Sequence, residues 1–163
     1  MLPDFLRFLR HGSSNRCVRW VNKDLAIGCP LDEADWQAVR ARGVRGVIDV
    51  SASYRDLGPV VRRYGMRYLR LPVAPDSLPE AGELHIVTSW LLQRICEDGP
   101  VLIHDTSIRG NDALVACAGL IKRGASVRRA SLQVQRSASA PLTDAQLDLL
   151  EQFAGQTAAL SRA

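Results

Sequence analysis

The chain alternates between short apolar runs rich in β-branched residues and longer segments in which apolar residues recur every three or four positions. The first pattern predicts buried strands and the second predicts helices with one apolar face. Predicted strands cover 17–21, 25–28, 44–50, 66–71 and the run that starts at 101. Predicted helices cover about 33–42, 59–63, 80–98, 113–121, 126–135 and the segment after 143. This order predicts an α/β fold with a central, mostly parallel sheet flanked by helices on both faces.

Two helices carry clear start signals. Asp32 is placed to cap the helix that begins at residue 33. Thr143 with Gln146 three residues later forms a capping box, and Leu142 can pack on Leu147 as a hydrophobic staple. The last helix therefore has the strongest local signature in the chain.

One stretch organises the chemistry. An apolar run from Val101 feeds a polar loop, which opens into the apolar helix 113–121. The free N–H groups and the dipole of such a helix favour an anion in the loop. We therefore expect an anion or ligand site formed by His104, Asp105, Thr106, Ser107, Ile108, Arg109, Gly110, Asn111 and Asp112.

Residues 104–112 resemble the phosphate-binding loop of the cysteine-dependent protein tyrosine and dual-specificity phosphatases, which reads His-Cys, five residues, Arg, then Ser or Thr. The length matches without a gap. The family's nucleophilic Cys falls on Asp105, its phosphate-clamping Arg on Asn111, its Ser or Thr on Asp112 and its mid-loop Gly on Ile108. The resemblance implies the phosphatase scaffold with its reaction centre replaced.

Weaker resemblances to the small atypical dual-specificity phosphatases extend over nearly the whole chain. They cover residues 20–30, 43–50, 69–73 and 136–153. In this comparison Asp76 matches the family's general acid, although Pro-Asp-Ser is also an ordinary turn. The resemblance implies a phosphatase-like fold.

The substitutions remove the chemistry that the family uses. A low-pKa thiolate attacks phosphorus and an Arg fork holds the phosphoryl oxygens, but Asp105 has no sulfur and Asn111 has no charge. Loss of one nucleophile from a cooperative site can cost on the order of 10⁶ in rate. We expect no efficient thiol-type phosphatase activity. We expect Asp105 to act as a built-in anion, with Arg109 as the remaining cation of the loop.

Three functions from different classes follow. The favoured one is a catalytically inactive, phosphatase-like (pseudophosphatase) module that binds a protein partner, phosphorylated or not, through the surface around the loop. A second is a phosphohydrolase in which Asp105 is the nucleophile; such chemistry normally needs Mg²⁺, with Asp112 or Asp76 as the neighbouring acid. A third is an anion or phospho-ligand sensor that uses Arg109 and the loop amides.

Length and charge limit the expected domain organisation and the expected partners. The 163 residues predict an N-terminal arm over 1–15 and a single domain over 16–163. The net charge of +4 comes from basic residues interspersed with acids, without a basic tract or stacking motif, so a nucleic-acid partner is not expected. The oligomeric state is left open.

The four cysteines show neither a Cys-x-x-Cys pair nor metal-ligand spacing with the histidines. They are expected to be reduced and mostly buried, with no bound metal and no cofactor. A three-carboxylate metal site from Asp76, Asp105 and Asp112 is a weak alternative. No stretch is apolar enough to span a membrane and no signal peptide is evident, which predicts a cytoplasmic protein.

Overall fold

The computed structural model describes residues 18–30, 32–74, 76–106, 110–138 and 140–163. The N-terminal arm predicted for 1–15 lies outside these residues. The strands are β1 (Val18–Trp20), β2 (Leu25–Gly28), β3 (Gly46–Asp49), β4 (Arg67–Arg70) and β5 (Val101–His104). The helices are α1 (Glu33–Ala41), α2 (Gly58–Arg63), α3 (Ala81–Glu97), α4 (Asn111–Lys122), α5 (Val127–Gln135) and α6 (Asp144–Leu160).

The five strands form one sheet in the order β1-β2-β5-β3-β4. Strands β2, β5, β3 and β4 run parallel to one another, and β1 pairs antiparallel with β2 as the first arm of a hairpin. The sheet confirms the predicted α/β architecture. Its central strand is β5, the apolar run that feeds the polar loop.

Alternation along the strands divides the core into two layers, because successive side chains of a strand point to opposite faces. Ile27, Ile48 and Ile103 face the layer formed with α3, α4, α5 and α6. Ala26 and Leu102 face the layer that holds Trp36 of α1 and Val61 of α2. Helices therefore cover both faces of the sheet, as predicted.

Helix α4 is buried along almost its whole length. A methyl group built on Gly119 would come within 2.6 Å of Leu91 Cδ2, so the missing side chain lets α4 approach α3 closely. Cys117 is fully buried, as predicted for a core position. This packing holds α4 in place against the core, and the predicted site ends in the first turn of this helix.

The predicted helix starts are present. The Asp32 side chain accepts a hydrogen bond from the Asp35 backbone N–H at 2.9 Å. Thr143 Oγ1 accepts from the Gln146 N–H at 3.2 Å, and Gln146 Oε1 accepts from the Thr143 N–H at 2.9 Å, which completes the capping box. Leu142 is buried next to this turn. Both signals act locally, which is why sequence spacing alone could identify them.

The cysteines correct one expectation. Cys29, Cys96 and Cys117 are free thiols, but only Cys117 is buried. Cys96 is exposed because the inward face of α3 is set by Leu84, Val87 and Leu91, and residue 96 falls off that face. Cys29 is half-buried just after β2. Across the described ranges, no helix combines the length and the apolar character that a membrane span requires.

Candidate functional site

The site lies at the carboxyl ends of three neighbouring parallel strands. In the sheet register, His104 at the end of β5 is opposite Asp49 of β3 on one side and Gly28 of β2 on the other. Cys29 follows directly after Gly28. Parallel α/β sheets place their ligands outside this edge, so the register itself brings these side chains together.

Asp49 is fully buried and accepts hydrogen bonds from several donors. Its Oδ1 accepts from the Ser51 hydroxyl at 2.6 Å, the Ser51 N–H at 3.0 Å and His104 Nδ1 at 3.2 Å. Its Oδ2 accepts from the Tyr68 hydroxyl at 2.9 Å. Burial raises the pKa of Asp49, but the hydrogen bonds from His104 and Ser51 outweigh burial, and the net shift is downward. Asp49 is therefore a carboxylate at neutral pH.

His104 is 2 % exposed, and its ring lies 5.8 Å from that of Trp36. Burial lowers the pKa of His104, but hydrogen bonds to Asp49 and to the Cys29 thiol outweigh burial and raise the pKa to about 9. The imidazole is thus held between a carboxylate and a thiol. At neutral pH it is a buried cation whose counter-charge is Asp49.

Asp105 and Asp112 put two carboxyl groups beside this cation. Asp105 is 5 % exposed, and its N–H donates to the Gly28 carbonyl at 3.3 Å. Asp112 Oδ1 accepts from the Ala113 N–H at 2.8 Å in the first turn of α4. Burial, and to a smaller extent the charge of Asp105, raise the pKa of Asp112 to about 6. The two carboxyl groups are close enough to interact.

Asn111 is 2 % exposed, and its side chain joins two helices of the fold. Its Oδ1 accepts a hydrogen bond from Gln146 Nε2 at 3.4 Å, which links the first residue of α4 to the first turn of α6. Gly110 precedes it with φ of 74°, a left-handed conformation that favours glycine and allows the loop to enter α4. The side chain at the family's clamp position is therefore turned to a neighbouring helix.

The remaining predicted site residues are distributed as follows. Thr106 is exposed directly after Asp105. Ser107, Ile108 and Arg109 lie outside the described residues. Asp76 is exposed in the loop that follows β4. Among the residues that the structure describes, no group of three or more His, Cys, Asp or Glu side chains is arranged to hold a metal ion, so the three-carboxylate metal alternative gains no support.

Sequence reasoning missed Asp49, Ser51, Tyr68 and Cys29 as members of the site. A usable signal was present in Asp49, a lone charge in the apolar strand 46–50. A buried charge of this kind needs a partner, and His104 occupies the same place at the end of the neighbouring strand. The hydrogen bonds that Tyr68 and Cys29 make with Asp49 and His104 carried no local signal, because they depend on strand order.

Comparisons with known proteins identify the fold of the chain. No protein-family model matches the sequence, and no curated protein matches it. Among solved structures, Tk-PTP in its active form superimposes with a TM-score of 0.76 and 23% identity, covering 86% of this chain and 97% of that one. PTPMT1 in complex with PI(5)P superimposes with a TM-score of 0.78 and 21% identity, covering 89% of this chain and 99% of that one. Human DUSP28 superimposes with a TM-score of 0.74 and 20% identity, covering 88% of this chain and 99% of that one. The chain has the fold of the dual-specificity and protein tyrosine phosphatases.

Proposed function

We propose that this chain is a catalytically inactive phosphatase-like domain that serves as a protein-binding or regulatory module. One observation carries the proposal: Asp105 and Asn111 stand where the family that the loop resembles has its nucleophilic Cys and its phosphate-clamping Arg. The overall fold is that of the solved phosphatase-like structures on which the chain superimposes.

Asp105 opposes both steps of the family's chemistry. A carboxylate offers no sulfur nucleophile, and it repels the phosphoryl group that the loop would have to hold. At a separation of about 4 Å and an intermediate dielectric, each pair of like unit charges costs about 4 kcal/mol. That energy corresponds to nearly a thousandfold in affinity for a phosphate ester.

Asn111 supplies no compensating charge. The Arg fork that holds phosphate through two parallel hydrogen bonds is replaced by an amide that is buried and accepts from Gln146 Nε2. The amide stabilises the contact between α4 and α6 instead. The side chain at this position therefore has a structural role in place of the ligand-binding role of the family's Arg.

Two loops beside the site support a protein partner. Tyr54 is fully exposed in the loop after β3, and Leu78 is exposed in the loop after β4. Both loops leave the carboxyl edge of the sheet, next to Asp49 and His104. Exposed aromatic and aliphatic side chains are typical of protein-binding surfaces. The free thiols also suit the reducing cytoplasm that the sequence predicts.

Turnover of an aryl phosphate by the unmodified chain, with and without Mg²⁺, tests inactivity. We expect no turnover in either condition. A matched pair tests the role of the carboxylate: Asp105→Asn should raise phosphate affinity by about two to three orders of magnitude. Asp148→Asn, which removes an exposed carboxylate of α6, should leave it unchanged. Equal phosphate affinity in the parent and Asp105→Asn would contradict the electrostatic argument.

The binding surface has its own test. A partner captured by the parent should be lost from Tyr54→Ser. It should be retained by Leu160→Ser, which alters an exposed leucine at the far end of α6. That end is about 25 Å from the N-terminus of α6. A partner that both variants retain would place the binding surface elsewhere.

A phosphohydrolase that uses Asp105 as its nucleophile is the second candidate. The observation that favours it is Asp112, whose carboxyl has a pKa of about 6 beside Asp105 and can hold a proton near neutral pH. Mg²⁺-dependent turnover by the parent, abolished in Asp105→Asn, would establish it and overturn the first proposal. The anion-sensor alternative depends on Arg109, which lies outside the described residues.

A further inference from the structure

A cleft of about 630 Å³ lies between strand β1 and helix α5, and the proposed function does not use it. It follows the β1 edge of the sheet, which β2 separates from the central strand β5. None of its described lining residues belongs to the loop 104–112. We propose that this arginine cleft, named for its lining residues Arg128, Arg129 and Arg136, binds an acidic segment of a partner protein. In that segment an apolar side chain lies between two carboxylates.

The charge of the arginine cleft supports an acidic partner. Arg128, Arg129 and Arg136 are exposed, and the other described residues that line the cleft are uncharged. A guanidinium group binds a carboxylate through two parallel hydrogen bonds, which suits arginine to interfaces with acidic side chains. A segment rich in Asp and Glu is therefore complementary to the cleft.

The spacing along α5 defines the order of side chains in the segment. Arg128, Leu132 and Arg136 follow one another at intervals of four residues, so they lie along one face of the helix and its C-cap. The two arginines are two turns, or about 12 Å, apart. An extended chain covers that distance in about four residues, and its residues i, i+2 and i+4 point to the same side. The fitting order is therefore acid, any residue, apolar residue, any residue, acid.

Apolar side chains line the cleft between the arginines. Leu132 is 55 % exposed on the outer face of α5. Trp20 and Val21 are half-buried and line the opposite wall. Tryptophan and arginine are enriched in protein interfaces, and an exposed leucine beside them provides apolar area for an anchor. The apolar residue of the segment would pack between Leu132 and Trp20.

The two walls of the cleft are already joined in the free domain. Ser137 Oγ donates to the Trp20 carbonyl at 3.0 Å, and Gln133 Nε2 donates to the Val21 carbonyl at 3.4 Å. On the other side of Trp20, the guanidinium carbon of Arg42 lies 5.8 Å from the ring centroid. A preformed cleft loses little conformational entropy when a ligand binds.

The start of α5 gives a further reason to expect an anion. Arg128 and Arg129 lie in its first turn, which holds no acidic residue. Positive charge at a helix N-terminus opposes the helix dipole. The described helices α1, α3, α4 and α6 all have an acidic residue in this turn. The arginines therefore destabilise the free helix, and the carboxylates of a bound segment would offset that effect.

Other occupants fit the arginine cleft less well. The segment 1–15 carries Arg7 and Arg10 against one acid, Asp4, so its charge has the same sign as that of the cleft. A nucleic acid would use the arginines through its phosphates and has no need of a leucine midway between them. The position of Leu132 between Arg128 and Arg136 therefore favours an acidic peptide.

A peptide titration followed by proton–nitrogen NMR of the full chain tests the proposal. The probe is Glu-Glu-Ser-Phe-Ser-Glu-Glu, in which Phe lies two residues from an acid on each side. The control peptide, Glu-Glu-Glu-Glu-Ser-Ser-Phe, has the same composition without this order. We expect the probe to shift resonances of β1 and α5 and to bind at least about fivefold more tightly than the control, because only the probe can place Phe between two paired carboxylates.

Matched variants locate the binding site. Arg128→Glu should weaken binding of the probe about fivefold or more, whereas Arg162→Glu, at an exposed position after α6, should not. Leu132→Ser should weaken it about fivefold, whereas Ile86→Ser, at an exposed position on α3, should not. Arg128→Glu places an acid where the helix dipole favours one, so it should unfold at no lower a temperature than the parent. Weaker binding by this variant would therefore not result from unfolding.

Several results would overturn the proposal. They are a probe that shifts no resonance of α5, equal binding of the two peptides, and binding of a uridine oligonucleotide that Leu132→Ser does not weaken. Resonances of α5 that shift on dilution would identify a second copy of the chain as the occupant. Resonances of α5 that shift in the full-length Phe5→Ser variant would identify the segment 1–15.

This inference is independent of the proposed function. Tyr54→Ser, which tests the surface around the loop, should leave binding of the probe unchanged because Tyr54 does not line the arginine cleft. Aryl phosphate turnover tests inactivity and involves none of the three arginines. Either proposal can therefore fail without affecting the other.

Discussion

The ion pair between His104 and Asp49 should make the stability of the domain depend on pH in a defined direction. The pKa of His104 rises from 6.5 in the unfolded chain to about 9 in the folded chain. A histidine whose pKa is raised on folding contributes stability that is fully present below the unfolded pKa. That contribution is lost as the pH rises through the folded pKa.

The magnitude follows from the shift. A change from 6.5 to about 9, at 1.36 kcal/mol per pKa unit, gives about 3 kcal/mol. The side chain is 2 % exposed, so solvent screening removes little of this. The free energy of unfolding should therefore fall by about 3 kcal/mol between about pH 6 and pH 10 through this one group.

Asp49→Asn isolates the effect, because it keeps the shape of the side chain and removes its charge. Breaking a buried pair on one side costs about 3–5 kcal/mol. We expect the free energy of unfolding of the variant at pH 6 to be about 3–5 kcal/mol below that of the parent. Between pH 6 and pH 10 the variant should show little of the decrease in stability that the parent shows. Asp148→Asn, an exposed carboxylate on α6, should keep the parent's profile.

Urea unfolding at a series of pH values measures the free energies, and proton NMR follows the titration of His104, assigned by its absence in His104→Gln. The reasoning would be refuted if the parent and Asp49→Asn showed the same pH dependence. A His104 that titrates below pH 7 in the folded parent would refute it equally.

Three further predictions concern single positions. Asp112→Asn should raise the free energy of unfolding by up to about 3 kcal/mol at pH 8. The pKa of Asp112 rises from 3.8 to about 6 on folding, so folding destabilises the charged form of this side chain. The gain in stability should vanish below pH 4, and a loss of stability at pH 8 would contradict the prediction. Gly119→Ala should lower the free energy of unfolding by about 1–3 kcal/mol, because the added methyl group would come within 2.6 Å of Leu91. Gly155→Ala on α6 has open space around it and should raise the free energy of unfolding by about 0.5–1 kcal/mol. Thermal unfolding compares the two variants, and shifts of the melting temperature with the same sign would contradict the packing argument. Thr143→Ala should cost about 1 kcal/mol by removing the cap of α6, and an unchanged urea midpoint would show that the capping box is dispensable.

The sequence was sufficient where structure depends on local signals. The helix cap predicted at Asp32 and the capping box predicted at Thr143 are both present, because each is fixed by residues within a few positions. The predicted strand 44–50 was too long at its start. Val44 donates its N–H to the Val39 carbonyl and closes the end of α1, and pairing in β3 begins at Gly46.

The composition of the site could not be predicted in the same way. His104 was expected at the site. Its partners Asp49, in β3, and Cys29, directly after β2, are far apart in the sequence and meet only because β5 lies between β2 and β3. The guanidinium of Arg70 donates a hydrogen bond to the carbonyl of Ser53, which is 17 positions away in the sequence. Contacts of this kind depend on topology and have no short-range pattern.

Restoring the family's two missing groups tests the central claim, that a phosphatase scaffold has kept its shape and lost its chemistry. The measurement is aryl phosphate turnover by Asp105→Cys combined with Asn111→Arg, beside the parent and beside Asp105→Ser combined with Asn111→Arg. The account predicts turnover only in the variant that has both the thiol and the guanidinium. Turnover by the parent would contradict it, and so would a properly folded double variant without activity, because the loop would then lack the shape of a phosphate cradle.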